Sequence, residues 1–103
     1  MNLGPSPAPT VEIVDRPERR RFEILTDGRL AGSARYRLED GRITFIHTEV
    51  DPALAGQGLG SRLARHVLDD ARARQLDVVP MCPFIAGYIR SHPAYQDLVR
   101  PTG

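Results

Sequence analysis

Between Val50 and Ser61 the sequence reads VDPALAGQGLGS, with Gly56, Gly58 and Gly60 alternating with larger residues. Upstream, Arg42 to Val50 has the period of two that marks a strand: Ile43, Phe45 and His47 fall on one face, and Thr44, Ile46 and Thr48 on the other. Downstream, Leu63, Ala64, Val67, Leu68 and Ala71 recur at helical spacing, opposite Arg62, Arg65, Asp69, Asp70 and Arg72. A short apolar run, Leu76 to Met81, follows after almost no loop and suits a buried strand. Strand, glycine turn, helix and strand make a crossover that sets Asp77 to Cys82 parallel to Arg42 to Val50. In such a unit ligands collect beyond the carboxyl ends of the strands. Glycines let the backbone turn tightly, and the first N–H groups of the helix face negative charge, so the stretch suits a phosphate cradle. A plain strand-to-helix connection uses the same glycines, and the stretch alone is compatible with both.

The segment before the crossover predicts hairpins. Phe22 and Ile24 lead into Asp27-Gly28, Leu30 to Leu38 continues, and Asp40-Gly41 turns the chain into Arg42 to Val50. This gives an antiparallel meander of three strands. The third has no strongly polar face and is expected inside the sheet, covered on both sides. Val11 to Val14 is expected as a short strand, and Asp15 to Arg20 as a polar connection around Pro17. Met1 to Thr10, with Pro5, Pro7 and Pro9, is expected as a disordered tail, leaving one domain over residues 11–100. After the crossover, Pro83 opens a helix carrying Phe84, Ile85, Tyr88 and Ile89, which His92-Pro93 stops; Tyr95, Leu98 and Val99 form a last short piece. The expected class is α/β with a mixed sheet.

Composition narrows the chemistry. The chain has 103 residues and a single cysteine, so no internal disulfide forms, and a reducing, cytoplasmic setting is expected. No apolar run approaches bilayer length. Fourteen basic residues against thirteen acidic ones give net +1, without the strong field that nucleic acid or membrane binding favours. Every basic residue is Arg, which excludes a Walker-type phosphate lysine and Schiff-base chemistry. Arg16, Arg19, Arg20 and Arg21 are the one basic cluster. Asp15 and Glu18 interrupt it, no aromatic pattern accompanies it, and a solvated loop is expected there. His47, His66, His92 and Cys82 lack metal-ligand spacing, so no metal is expected.

Two reactive side chains fall near the strand ends. Cys82 precedes Pro83, where exposed N–H groups and the positive end of a helix favour thiolate. His47 lies three residues before the end of the neighbouring strand, in position to serve as a base; Glu49 is a second candidate. Each also has a structural reading, the cysteine as a small hydrophobe and the histidine as a hydrogen-bonded strand residue.

The run IHTEVDPALAGQGLGS, followed by an amphipathic helix, resembles the acetyl-CoA motif of the GCN5-related N-acetyltransferases. More narrowly, HTEV, the glycine loop, VVPMCPF and YIRSHPAYQDLV resemble the short N-acetyltransferase domain-containing branch, and the resemblance covers Phe22 to Val99. It implies a minimal version of that family's mixed sheet. The two helices usual between the first and second strands have no counterpart, since only Asp15 to Arg20 is available. It further implies acetyl-CoA as cofactor, with Gln57, Gly58, Leu59, Gly60 and Ser61 at the pyrophosphate and the backbone of Glu49 and Val50 along the pantetheine. Cys82 and His47 match the branch's cysteine and strand histidine. Ala55 stands where the broad family pattern has Arg or Gln, so the cradle relies on backbone. The implied activity is acetyl transfer to an amine of unidentified nature by a monomer or weak dimer, directly or through acetylated Cys82. The alternatives are a non-catalytic acyl-CoA-binding module and, less favoured, a nucleic-acid-associated protein using the Arg16 to Arg21 cluster.

Overall fold

The computed structural model describes residues 10–99. Strands β1 (Val11–Arg16), β2 (Arg21–Thr26), β3 (Arg29–Glu39), β4 (Arg42–Val50) and β5 (Asp77–Pro80) form one sheet in that order. The first four pair antiparallel, and β5 joins β4 in parallel across helix α1 (Leu59–Ala73). Helix α2 (Pro83–Ser91) and a 3-10 helix, Pro93–Leu98, complete the chain. The expected mixed sheet and crossover are present, and β1 lengthens the meander from three strands to four.

The first hairpin follows from its turn pair. Asp27 (φ 49°) and Gly28 (φ 79°) both lie in the left-handed region, which matches the twist of a two-residue hairpin. Asp27 also fastens the edge of the sheet: its N–H donates to the Thr10 carbonyl at 2.9 Å, and its Oδ1 accepts from the Thr10 N–H at 3.0 Å. Thr10 is therefore part of the folded edge rather than of a tail. The rest of the proline-rich segment, like Arg100, lies outside the described residues.

One face of the sheet carries the core. Phe22, Ile24, Ala34, Tyr36, Ile43 and Phe45 are buried together with Leu63, Ala64, Val67 and Leu68 of α1 and Ile85 and Ile89 of α2. On the other face Arg35, Arg37, His47 and Glu49 are exposed. The expectation that β4 is covered on both faces is thus corrected: β4 does lie inside the sheet, but both helices pack on the apolar side and nothing in the short β1–β2 connection covers the other.

That connection also differs from expectation. Asp15 and Arg16 belong to β1, and only Pro17–Arg19 turns, as one 3-10 helix. Arg16, Arg19 and Arg21 converge on Glu23 instead of facing solvent independently. Arg16 Nε donates to Oε1 at 3.2 Å, Arg19 Nη1 to Oε2 at 3.1 Å and Arg21 Nε to Oε2 at 2.7 Å. Glu23 is 3 % exposed. Burial pushes its carboxyl up, but hydrogen bonds from Arg21, Arg16 and Arg19 outweigh it and hold the group below the usual carboxylate value. On the core side, the Tyr36 hydroxyl donates to Asp15 Oδ1 at 2.6 Å. Burial and that bond raise its pKa well above the usual phenol value. No helix among the described residues is long and apolar enough to cross a membrane.

Candidate active site

The pairing of β4 with β5 runs only from Arg42↔Asp77 to Phe45↔Pro80. Two prolines account for the break. Pro80 has no N–H to extend a ladder, and Pro83 at the first helical position starts α2. The last link is the Cys82 N–H, which donates to the Phe45 carbonyl at 2.9 Å. Beyond it the chain turns into α2 while β4 continues to Val50. Ile46 to Val50 therefore present a strand edge that β5 does not cover, although β3 pairs their other edge as far as Gly32↔Val50.

A bulge sits where the two strands part. Arg35 pairs with His47 and Tyr36 with Phe45, so Ile46 is an extra residue in β4. It reverses the alternation. Thr48 pairs with buried Ala34 and Val50 with buried Gly32, so both turn toward the helices with Phe45, while His47 and Glu49 turn to the open face. The expectation that His47 shares a face with Ile43 and Phe45 is corrected, because strict period two cannot anticipate an inserted residue. Thr48 is the strand side chain that meets the cysteine. The Cys82 thiol donates to Thr48 Oγ1 at 3.3 Å, and Cys82 is 2 % exposed.

Cys82 is the N-cap of α2, with its backbone extended (φ −73°, ψ 122°), and its carbonyl accepts from the Ala86 N–H at 3.0 Å. Opposite stands the start of α1. Asp51 Oδ1 accepts from the Ala53 N–H at 2.9 Å and fixes the 3-10 turn Pro52–Leu54 that leaves β4. Gly58 then caps α1 at φ +73°, a conformation that costs a residue with a Cβ. The Arg62 N–H bonds to the Gly58 carbonyl at 3.1 Å, and the N–H groups of Leu59, Gly60 and Ser61 precede that first helical bond. Gln57, Gly58 and Ser61 are exposed, whereas the Leu59 side chain is buried and anchors the helix start. Gly60 serves packing: a Cβ there would lie 2.9 Å from Cζ of Phe84 in α2.

The structure thus brings Cys82, the unpaired edge at Glu49 and Val50, and the start of α1 to one end of the sheet. His47 is separated from them by facing the other side. Thr48 was missed by sequence reasoning, although it lies within HTEV. The signal was present only as a threonine between His47 and Glu49, which no spacing rule singles out. Among the described residues, no three His, Cys, Asp or Glu side chains gather to hold a metal.

Comparison with known proteins bears on this geometry. A sequence model described as GCN5-related N-acetyl-transferase matches residues 21–98. The fold is similar to the solution structure of a GCN5-like N-acetyltransferase candidate from Staphylococcus aureus. That similarity has a TM-score of 0.68 at 26% identity and covers 89% of this chain and 90% of that one. It is also similar to the ribosomal-protein-S18-alanine N-acetyltransferase from Escherichia coli, with a TM-score of 0.57 at 19% identity over 69% of this chain and 64% of that one. No curated protein sequence matches the chain.

Proposed function

The chain belongs to the GCN5-related N-acetyltransferase family, and we propose that it transfers an acetyl group from acetyl-CoA to an amine. One observation carries this reading: the uncovered edge of β4 at Ile46 to Val50 runs directly into the glycine turn and the N–H groups that open α1. An extended amide-bearing arm suits an unpaired strand edge. A pyrophosphate suits the helix start that follows it. Gln57, Gly58, Leu59, Gly60 and Ser61 would hold the phosphates through backbone, and Glu49 and Val50 would align the pantetheine. The coenzyme supplies the activated acetyl thioester. Ala55 brings no charged or hydrogen-bonding side chain to this loop.

Two routes use this chain's residues differently. In the covalent route the Cys82 sulfur, released from Thr48, takes the acetyl group and passes it to the acceptor. In the direct route the acceptor amine attacks the thioester, with His47 or Glu49 on the open face accepting its proton. Cys82→Ala separates them. The covalent route predicts loss of acetyl-CoA-dependent thiol release by about a hundredfold or more and of the acetyl mass shift on the protein. Parent-like turnover in that variant eliminates it. The burial of Cys82 favours a second reading, an acyl-CoA-binding module without turnover. Stoichiometric CoA binding in calorimetry, without thiol release in the presence of any amine tested, would establish it.

A further inference from the structure

On the open face, where β3 begins and β4 ends, lies a cavity of about 230 Å³ lined by Arg21, Leu30, Ser33, Glu49, Val50 and Asp51 among others. Its volume falls just below the ~300–1,000 Å³ of ordinary ligand sites, which limits an occupant to a small molecule. Ser33 distinguishes it from a surface crease. Ser33 is 8 % exposed, yet its hydroxyl has no hydrogen-bond partner among the described residues. No side-chain polar atom there is both fully enclosed and unsatisfied, so the Ser33 hydroxyl opens onto the cavity it lines. A nearly buried hydroxyl without a partner invites a ligand atom to complete it.

The charges around that hydroxyl have two signs. Glu49 forms no ion pair among the described residues, and Asp51 uses only Oδ1, on the Ala53 N–H. Arg21 binds Glu23 through Nε and Nη2 at 2.7 and 2.6 Å and retains Nη1 without a partner. Leu30 supplies the apolar wall.

We propose that this cavity is the acceptor subsite and that it takes a small zwitterionic amine of the amino-acid class. The ammonium sits between the Glu49 and Asp51 carboxylates, and the carboxylate meets Arg21 and the Ser33 hydroxyl. This rests on the acetyltransferase reading for the fate of the ligand but not for its binding. Glu49 joins the two functions, its backbone lying on the β4 edge assigned to the acetyl donor and its side chain on the cavity wall. In the transfer, the ammonium releases one proton to solvent by way of Glu49, and the nitrogen lone pair forms the C–N bond to the acetyl carbonyl. The thioester C–S bond then breaks, and the second nitrogen proton ends on the departing sulfur. The products are the N-acetylated acid and a free thiol.

The test uses the isotope-labelled full chain and three matched probes: L-valine, isobutylamine, which lacks the carboxylate, and 3-methylbutanoate, which lacks the ammonium. Titration followed by amide chemical shifts should move Ser33 and Glu49 with L-valine, and each truncated probe should bind about tenfold more weakly or worse. Glu49→Gln should weaken L-valine binding by a similar factor, with Glu49→Asp retaining part of it. Ser33→Ala should weaken L-valine by a smaller factor, roughly threefold. Absence of shifts at Ser33 and Glu49, or equal binding of the three probes, would overturn the subsite. Selective L-valine binding without acetyl-dependent thiol release would uphold the subsite and reject the transfer reading instead.

Discussion

On the β1–β3 side of the sheet each strand stays paired to its end, across one register shift at Ile24–Leu25, and the polar side chains are committed: Glu23 accepts from three arginines and Asp15 from Tyr36. On the β4–β5 side the ladder stops at Phe45↔Pro80, a bulge throws Ile46 out of register, and from there to Val50 β4 is paired only by β3. The first region spends its charges on holding strands together. The second leaves hydrogen-bonding groups unused at the end where the crossover begins. An unpaired edge beside a helix start is costly unless water or a ligand completes it, which is why the proposed coenzyme site is placed there. The committed side makes the open side tolerable, because it supplies the rigid frame from which β4 projects.

The largest effect that separates the two regions should come from Glu23→Gln. Removing the carboxylate charge leaves Arg16, Arg19 and Arg21 around a neutral amide, and a loss of about 2–3 kcal/mol in denaturant unfolding is expected. Acetyl-CoA affinity should hardly change, since the network lies away from the β4–β5 opening. The pH dependence has a definite sign. The folded pKa of Glu23 lies below the unfolded value of 4.5, so its stabilisation is complete above that value and is lost as pH falls through the lower folded one. The gap between parent and variant should therefore close on acidification. A gap that widened toward acid would mean that the arginines are not what holds Glu23.

Gly58→Val acts on the other region and should cost less stability while affecting binding more. The residue sits at φ +73°, and forcing a β-branched side chain into that region costs about 1–2 kcal/mol. Because no atom other than its chain neighbours lies within 4 Å of an added Cβ, the damage is to backbone conformation rather than to packing. Relaxing that strain displaces the N–H groups that open α1, and acetyl-CoA affinity should fall about tenfold or more in calorimetry. A variant that binds as well as the parent would remove the cradle assignment.

The two regions were not equally legible in the sequence. The meander, crossover and both helices followed from Asp-Gly turns, period-two and period-3.6 patterns and the placement of Pro83, all of them local signals. Glu23 was not legible, since its partners lie on β1, on the turn and on β2, and only the pairing Val14↔Glu23 and Arg16↔Arg21 brings them together. The facing of His47 was not legible either, because a single bulged residue, invisible in composition, inverts everything after Phe45. The same inversion turned Thr48 to Cys82 and set Glu49 beside Ser33, to which it pairs across β3 and β4. The motif therefore gathered the candidate residues at one end of the sheet, while their faces depended on a register that only tertiary pairing sets.

The smallest expected effect, from Gly60→Ala, sharpens the comparison within the loop itself. Gly60 looks equivalent to Gly58 in the sequence, but its φ is not positive and it lies inside α1. Its added Cβ would meet only the tip of Phe84, at 2.9 Å from Cζ, and Phe84 is 44 % exposed, so the ring can swing outward. Replacing a helical glycine by alanine contributes about 1 kcal/mol in favour of the fold, which offsets most of the lost ring packing. Thermal unfolding should shift little in either direction, and acetyl-CoA affinity should remain within about twofold, because the Gly60 N–H is unaltered. A collapse of affinity with stability intact would mean that the ligand approaches the bare Cα of Gly60. The cradle would then use the missing side chain of Gly60 as well as its N–H, and Phe84 would form one of its walls.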